Sequence, residues 1–204
     1  MAPTHEPQQA RLLRLAKRRG LLRARDLAAY GLPTIALTRL VQAGKLERID
    51  RGMYGIPGAP VTENHSLAEV ALRVPKGVIC LISALRVHDI GTQAPFAVWL
   101  AIPHRAAVPK LTFPRLRIVR MSDRALADGV HRIKVDGVSV PVFGAARTVV
   151  DAFRFRNKIG LDVAIEALRD GWSRRRFTMG DLWRHAEANR ILSVMRPYME
   201  TIAA

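Results

Sequence analysis

The chain has 204 residues, 49% of them apolar, and carries 33 Lys+Arg against 17 Asp+Glu for a net charge of +16. This composition excludes a disordered tail, and the length allows one large domain or two small ones. Residues 1–60 carry +7 and residues 61–204 carry +9, so a polyanion could be contacted by both parts. Most of the basic residues are arginine, and a genome that favours Arg codons would account for part of the excess.

Residues 1–7 hold two prolines and read as loose. Residues 8–19 read as a helix, with Leu12, Leu15 and Ala16 on one side and Arg11, Arg14, Lys17 and Arg18 mainly on the other. A second helix is expected over residues 24–30, with Ala24, Leu27 and Ala28 on one face. Gly31 then supplies a left-handed stop. Pro33 has the φ of a helix start and no N–H to leave unpaired. A third helix over residues 34–43 would bury Leu37, Leu40 and Val41, and Gly44 ends it.

The helical wheel sets Ile35, Thr38, Arg39 and Gln42 opposite that buried stripe. Arg and Gln make paired hydrogen bonds to base edges, and Thr and Ile touch thymine methyls. Residues 45–49 and 53–56 flank Asp50-Arg51-Gly52, a tight-turn sequence. They form a small β-wing bearing Lys45, Arg48 and Arg51, which suits phosphates. Helix, turn, helix and basic wing together read as a winged helix-turn-helix. Its expected DNA contacts are Arg23, Arg25, Thr34, Ile35, Thr38, Arg39, Gln42, Lys45, Arg48 and Arg51. An ordinary helical hairpin is the bland reading of the same pattern.

Pro57-Gly58-Ala59-Pro60 marks a break, which divides the chain into a DNA-binding domain, 1–58, and a C-terminal domain, 59–204. Residues 65–73 read as a short helix and Pro75-Lys76-Gly77 as a turn. Residues 78–90 begin like a strand, but Leu81, Leu85 and His88 fit a buried helix, and periodicity leaves both open. Strands follow at 96–102, 116–121, 131–135 and 138–143, the last two joined by the hairpin signal Asp136-Gly137. Helices are expected at 145–155, 161–170, 179–188 and 192–202. Thr178 with Asp181 is a start signal, and Pro197 should kink or shorten the last helix. The fold class is α+β: an N-terminal winged helix-turn-helix plus a C-terminal mixed α/β domain, a small mainly antiparallel sheet followed by helices.

Catalytic signatures are sparse. The six histidines show no HExxH or other metal spacing, and Ser83 in CLISALR lies outside G-x-S-x-G. His88 reads as a satisfied core or helix-end residue. Asp162 and Glu166 lie one turn apart and could hold a metal, but an exposed acidic face is the simpler reading. Arg147, Asp151 and Arg154 are spaced for surface or subunit-interface ion pairs. Arg174, Arg175 and Arg176 form a basic run that could hold phosphate or an acidic partner, or be solvated. Cys80, the single cysteine, excludes an intrachain disulfide and a cysteine zinc cluster, and reads as a buried inert thiol. No catalytic residue, metal or cofactor is expected. The longest apolar runs are about eight residues, far short of the ~20 a membrane span needs. With no apolar signal core near the N-terminus, a cytoplasmic protein is expected.

The segments LTRLVQAGKLERIDRGMYGIP, SLAEVALRVPKGVICLISALRVHDIGTQAP, RTVVDAFRFRNKIGLDVAIEALRD and VMRPYME resemble the AbiEi family of antitoxins from type IV toxin–antitoxin systems, over nearly the whole chain. The resemblance implies a winged helix that binds inverted repeats in duplex DNA of its own promoter and represses its operon. It implies a C-terminal domain that counteracts a nucleotidyltransferase-like toxin, without requiring a stable complex. The family supplies no catalytic residue to carry over, and the Gly-Ser…Asp-x-Asp pattern of the toxin itself is absent from this sequence. The antitoxin surface is sought at Arg147, Asp151, Arg154, Arg156, Lys158, Arg174, Arg175 and Arg176. Competing readings are a nucleic-acid-modifying enzyme or an RNA-binding protein, either one targeted by the winged helix.

Overall fold

A computed structural model describes residues 7–58 and 64–203. The expected loose segment before Pro7, and Ala59-Pro60 of the expected break, lie outside the described residues. The chain forms two compact units. One comprises residues 1–72 with 134–139; the other comprises 73–133 with 140–204.

In the first unit, α1 (Gln8–Arg19) buries Leu12, Leu15 and Ala16, as its spacing requires. β1 (Leu21–Arg23) follows, a strand that local sequence does not signal because three residues carry too little alternation. Residues Ala24–Tyr30 are helical, but as a tight 3-10 turn of helix that buries only Leu27. Ala24 is half-buried and Ala28 exposed, so the expected three-residue apolar face shrinks to one residue. Gly31 takes the left-handed conformation at φ 62°, and its N–H bonds back to Ala28. α2 (Ile35–Gln42) packs Ala36, Leu37 and Leu40 into the core, with Val41 only half-buried. β2 (Glu47–Asp50) and β3 (Met53–Gly55) make the wing, and the three strands pair antiparallel in the order β1-β3-β2. One core unites these pieces: Leu12, Leu15, Leu22, Leu27, Leu32, Leu37, Leu40 and Leu46. α3 (His65–Arg73) follows.

The second unit is built on a five-stranded sheet. Its strands are β4 (Val78–Ile79), β5 (Val98–Pro103), β6 (Leu116–Met121), β7 (Val130–Val135) and β8 (Val138–Phe143), in the order β6-β5-β4-β8-β7. The expectation of a mainly antiparallel sheet holds for β4 with β5, but β4–β8 and β5–β6 are parallel. The hairpin signal sees only neighbours joined by a tight turn. Both parallel pairs are joined by longer connections, where local sequence is silent. The ambiguous segment at 78–90 is both things in turn: β4, then α4 (Leu81–Val87).

α5 (Asp123–Ala127), capped by Ser122, and the single-turn α7 (Arg156–Ile159) are too short for periodicity to reveal. α6 (Ala145–Arg154), α8 (Leu161–Ser173), α9 (Met179–Ala188) and α10 (Leu192–Ala203) follow the expected order. Thr178 and Asp181 close a reciprocal capping box on α9. Pro197 lies inside α10 and does not shorten it. Val149, Val150, Phe153, Ala164, Leu168, Leu182 and Met195 form the helical core, while Cys80, Trp99, Val119, Met121 and Phe143 form a second core with the sheet.

Candidate nucleic-acid interface

α2 separates two chemistries. Ala36, Leu37 and Leu40 are at most 3% exposed, while Thr34, Ile35, Thr38, Arg39 and Gln42 are all exposed. The apolar Ile35 is 55% exposed on that outer face. Gly44 at φ 65° turns the chain out of the helix toward Lys45 and the wing. Lys45, Arg48 and Arg51 are exposed there. Helix face and wing thus offer one amide, one guanidinium and two small apolar contacts for base edges, with cations beside them for phosphate.

Arg23 and Arg25 differ. Arg23 donates from Nε to Asp26 at 2.7 Å and from Nη1 to the Leu72 carbonyl at 2.7 Å, and its side chain is mostly covered. Its first duty is to hold the start of the 3-10 segment to the end of α3. Arg25 stays exposed, 4.0 Å from Asp26. On α1, Arg11, Arg14, Lys17 and Arg18 line the outer side, as the helical wheel requires.

The other unit brings a correction. The spacing of Arg147 and Asp151 predicts surface or interface ion pairs, but these residues are 1% and 0% exposed. Arg147 Nε donates to Asp151 at 3.0 Å, and Nη1 donates to the Asp128 carboxylate at 2.8 Å. The guanidinium also stacks 4.7 Å from the Phe143 ring centroid. His185 joins through Asp128 at 3.2 Å. Burial pushes the Asp151 carboxyl up, and Arg147 pulls it partly back. Burial likewise pushes His185 down, against the pull of Asp128. Charge spacing on one helix cannot show which face is covered, and α6 is enclosed by α4, α8 and α9. Asp128 and His185 are members of this network that the sequence does not reveal, because 19 and 57 residues separate the paired positions.

The remaining expected antitoxin residues divide. Arg154 is exposed, bonded to Asn189 at 3.0 Å, and stacks with Lys158 on Phe155. Arg156 donates to the Phe153 carbonyl. In the basic run, Arg174 and Arg176 converge on Asp89 at 3.0 and 3.2 Å, and Arg174 also holds Asp170. Arg175, between them, is exposed in a left-handed turn at φ 54°.

Other side chains with chemical potential are tied to structure. His88 ends α4 and lies 2.7 Å from the Phe143 carbonyl through Nε2; burial lowers its pKa, so it donates as a neutral ring. Ser83 accepts from the Trp99 N–H. Cys80 is buried, and desolvation pushes its thiol well up, so it is a poor nucleophile. Glu166 accepts from the Thr92 N–H and hydroxyl. Among the described residues no group of His, Cys, Asp and Glu could hold a metal ion, and no helix is long and apolar enough to cross a membrane.

Residues 10–57 match the family model described as a transcriptional regulator, AbiEi antitoxin. That match covers α1, the 3-10 segment, α2 and the wing. No curated protein is similar enough in sequence to count as a relative. Among solved structures, the crystal structure of RV2827C protein from Mycobacterium tuberculosis is similar at 16% identity and a TM-score of 0.57, covering 92% of this chain and 72% of that one. At that identity the likeness concerns the fold alone.

Proposed function

We propose that this protein is a DNA-binding antitoxin of a type IV toxin–antitoxin system. It represses its own operon at inverted repeats and counteracts a nucleotidyltransferase-like toxin. Residues 1–58 carry the DNA reading, residues 59–204 carry the antitoxin function, and no step of either is enzymatic. The observation that carries the reading is the outer face of α2, where Ile35, Thr38, Arg39 and Gln42 stand in water behind a fully packed inner face. The match of residues 10–57 to antitoxin regulators supports it.

Arg39 and Gln42 read base edges, Thr38 and Ile35 meet thymine methyls, and Thr34, Arg25, Lys45, Arg48 and Arg51 grip phosphates. Arg23, held by Asp26 and Leu72, positions the adjoining segment more than it grips DNA. On the antitoxin side the cations Arg154, Lys158 and Arg175 are the side chains to test first.

A gel-shift titration on the DNA upstream of its own gene tests the first half. Arg39→Ala should cost about 1–3 kcal/mol, mostly as lost discrimination between operator and scrambled duplex. Unchanged operator preference would sink the recognition-helix assignment. Growth rescue of cells expressing the neighbouring toxin gene, by wild type but not by an Arg154→Ala/Lys158→Ala/Arg175→Ala variant, tests the second half.

A further inference from the structure

Residues 90–122 contain no aspartate or glutamate, yet they hold Arg105, Lys110, Arg115, Arg117 and Arg120. Within this stretch lie two phenylalanines that the fold leaves in water: Phe96 is 76% exposed and Phe113 is 66% exposed. Parallel pairing of β5 with β6 aligns Val98 with Leu116, and the Val98 N–H bonds to the Arg115 carbonyl at 2.8 Å. Phe96 stands two residues before β5 and Phe113 three residues before β6, so both flank the end at which this parallel strand pair begins.

Arg117 is laid 4.8 Å from the Phe96 centroid and 5.2 Å from the Trp99 centroid. Its guanidinium is thus laid against two rings while the residue as a whole stays exposed. Arg115, also exposed, stands between the second phenylalanine and Arg117.

Exposed rings on a structured edge, interleaved with cations and free of carboxylates along 33 residues, are the chemistry that takes up unpaired bases and their phosphates. A greasy protein partner would want the apolar area but would gain nothing from a uniformly cationic frame. We infer that the β5–β6 edge around Phe96, Phe113, Arg115 and Arg117 is a second nucleic-acid site, one that binds single-stranded RNA. RNA is the occupant because unstacked bases are found in its loops, bulges and ends, whereas cellular DNA is mostly paired. The site is separate in chain and in chemistry from the outer face of α2. It would let the protein hold an RNA strand whether or not its winged helix is on an operator.

Anisotropy of a short fluorescein-labelled oligo(U) with the full-length protein at about 0.15 M salt tests this. Wild type should bind it, and duplex RNA of the same length should bind more weakly. Phe96→Ala/Phe113→Ala should lose roughly tenfold or more, as removal of stacked bases does elsewhere. Both rings are exposed, so folding should survive. Phe96→Leu/Phe113→Leu keeps apolar area but removes the π faces and should lose nearly as much. Arg115→Gln/Arg117→Gln should reduce the salt dependence by about two charges.

Leucine replacements that bind like wild type would overturn stacking. Oligo(dT) binding as tightly as oligo(U) would overturn the choice of RNA. RNA binding that disappears in Arg39→Ala/Arg51→Ala and persists in the phenylalanine variants would move the activity to the winged helix and overturn the site. Phenylalanine variants that change only the oligomeric state would make the patch a self-interface and overturn the site as well.

Discussion

Replacing Arg147 with methionine tests the buried network on α6 most directly. The side chain is fully covered and holds Asp151, itself 0% exposed, at 3.0 Å. Removing it strands a carboxylate in the core, and breaking one side of a buried pair costs about 3–5 kcal/mol. An upper bound comes from titration. Asp151 can escape by taking up a proton, which at pH 7 costs about 4 kcal/mol, three units above an unfolded pKa near 3.9. The Asp128 side chain is 42% exposed and can recover hydration from solvent.

The variant should therefore lose about 3–4 kcal/mol at pH 7, bounded by protonation. Its folded Asp151 would have a pKa far above the unfolded value, so folding takes up a proton and stability rises as pH falls. At pH 5 the deficit against wild type should shrink by roughly 2 kcal/mol. Trp99, Trp172 and Trp183 all belong to the unit that contains α6, so urea unfolding followed by tryptophan fluorescence reports the right region. Adding Asp151→Leu should recover most of the loss. A deficit under about 1 kcal/mol, as for an exposed pair, or one indifferent to pH, would refute this account of the pair.

Other substitutions separate the remaining ideas. His88 titrates below its unfolded value because it is buried. Between its folded pKa and about 6.5 only the unfolded chain holds the proton, so stability rises with pH through that window; His88→Gln should flatten the rise in urea midpoints. Leu40→Ala, at 2% exposure on the inner side of α2, should cost about 2–5 kcal/mol and show as faster hydrogen exchange across α1 and α2. Thr178→Ala removes the hydroxyl that accepts from the Asp181 N–H, one half of the capping box on α9, and should cost about 1 kcal/mol by thermal unfolding. Arg51→Ala should weaken all duplexes alike and lower the salt slope by about one, which a titration at two salt concentrations would show.

Sequence and structure agree where one element carries its own signal. α1 is legible because Leu12, Leu15 and Ala16 repeat at the helical period between a proline and a glycine. The wing is legible because Asp50-Arg51-Gly52 is a turn by chemistry. The outer face of α2 needs only a helical wheel. What stays hidden depends on partners far along the chain. β1 gains its identity from β3, with Leu22 facing Tyr54. The parallel pairs need a whole crossover before their strands meet. Arg147 and Asp151 look like a solvated pair until helices from three other segments close over them. Phe96 reads as part of an apolar strand, yet it precedes β5 and faces water, because β5 starts two residues later.

The Asp136-Gly137 turn has a consequence for anyone who wishes to dissect this molecule. His65 Nδ1 lies 2.7 Å from the Asp136 carboxylate, and a side chain on Gly137 would collide with the Arg19 backbone. The unit that holds the wing therefore borrows six residues from far downstream, and the polypeptide crosses between the units three times. Excising the first 58 residues, or grafting them onto a foreign body to make a chimaera, would leave that borrowed piece behind. The transplant would carry the exposed outer face of α2 on a scaffold missing part of its floor.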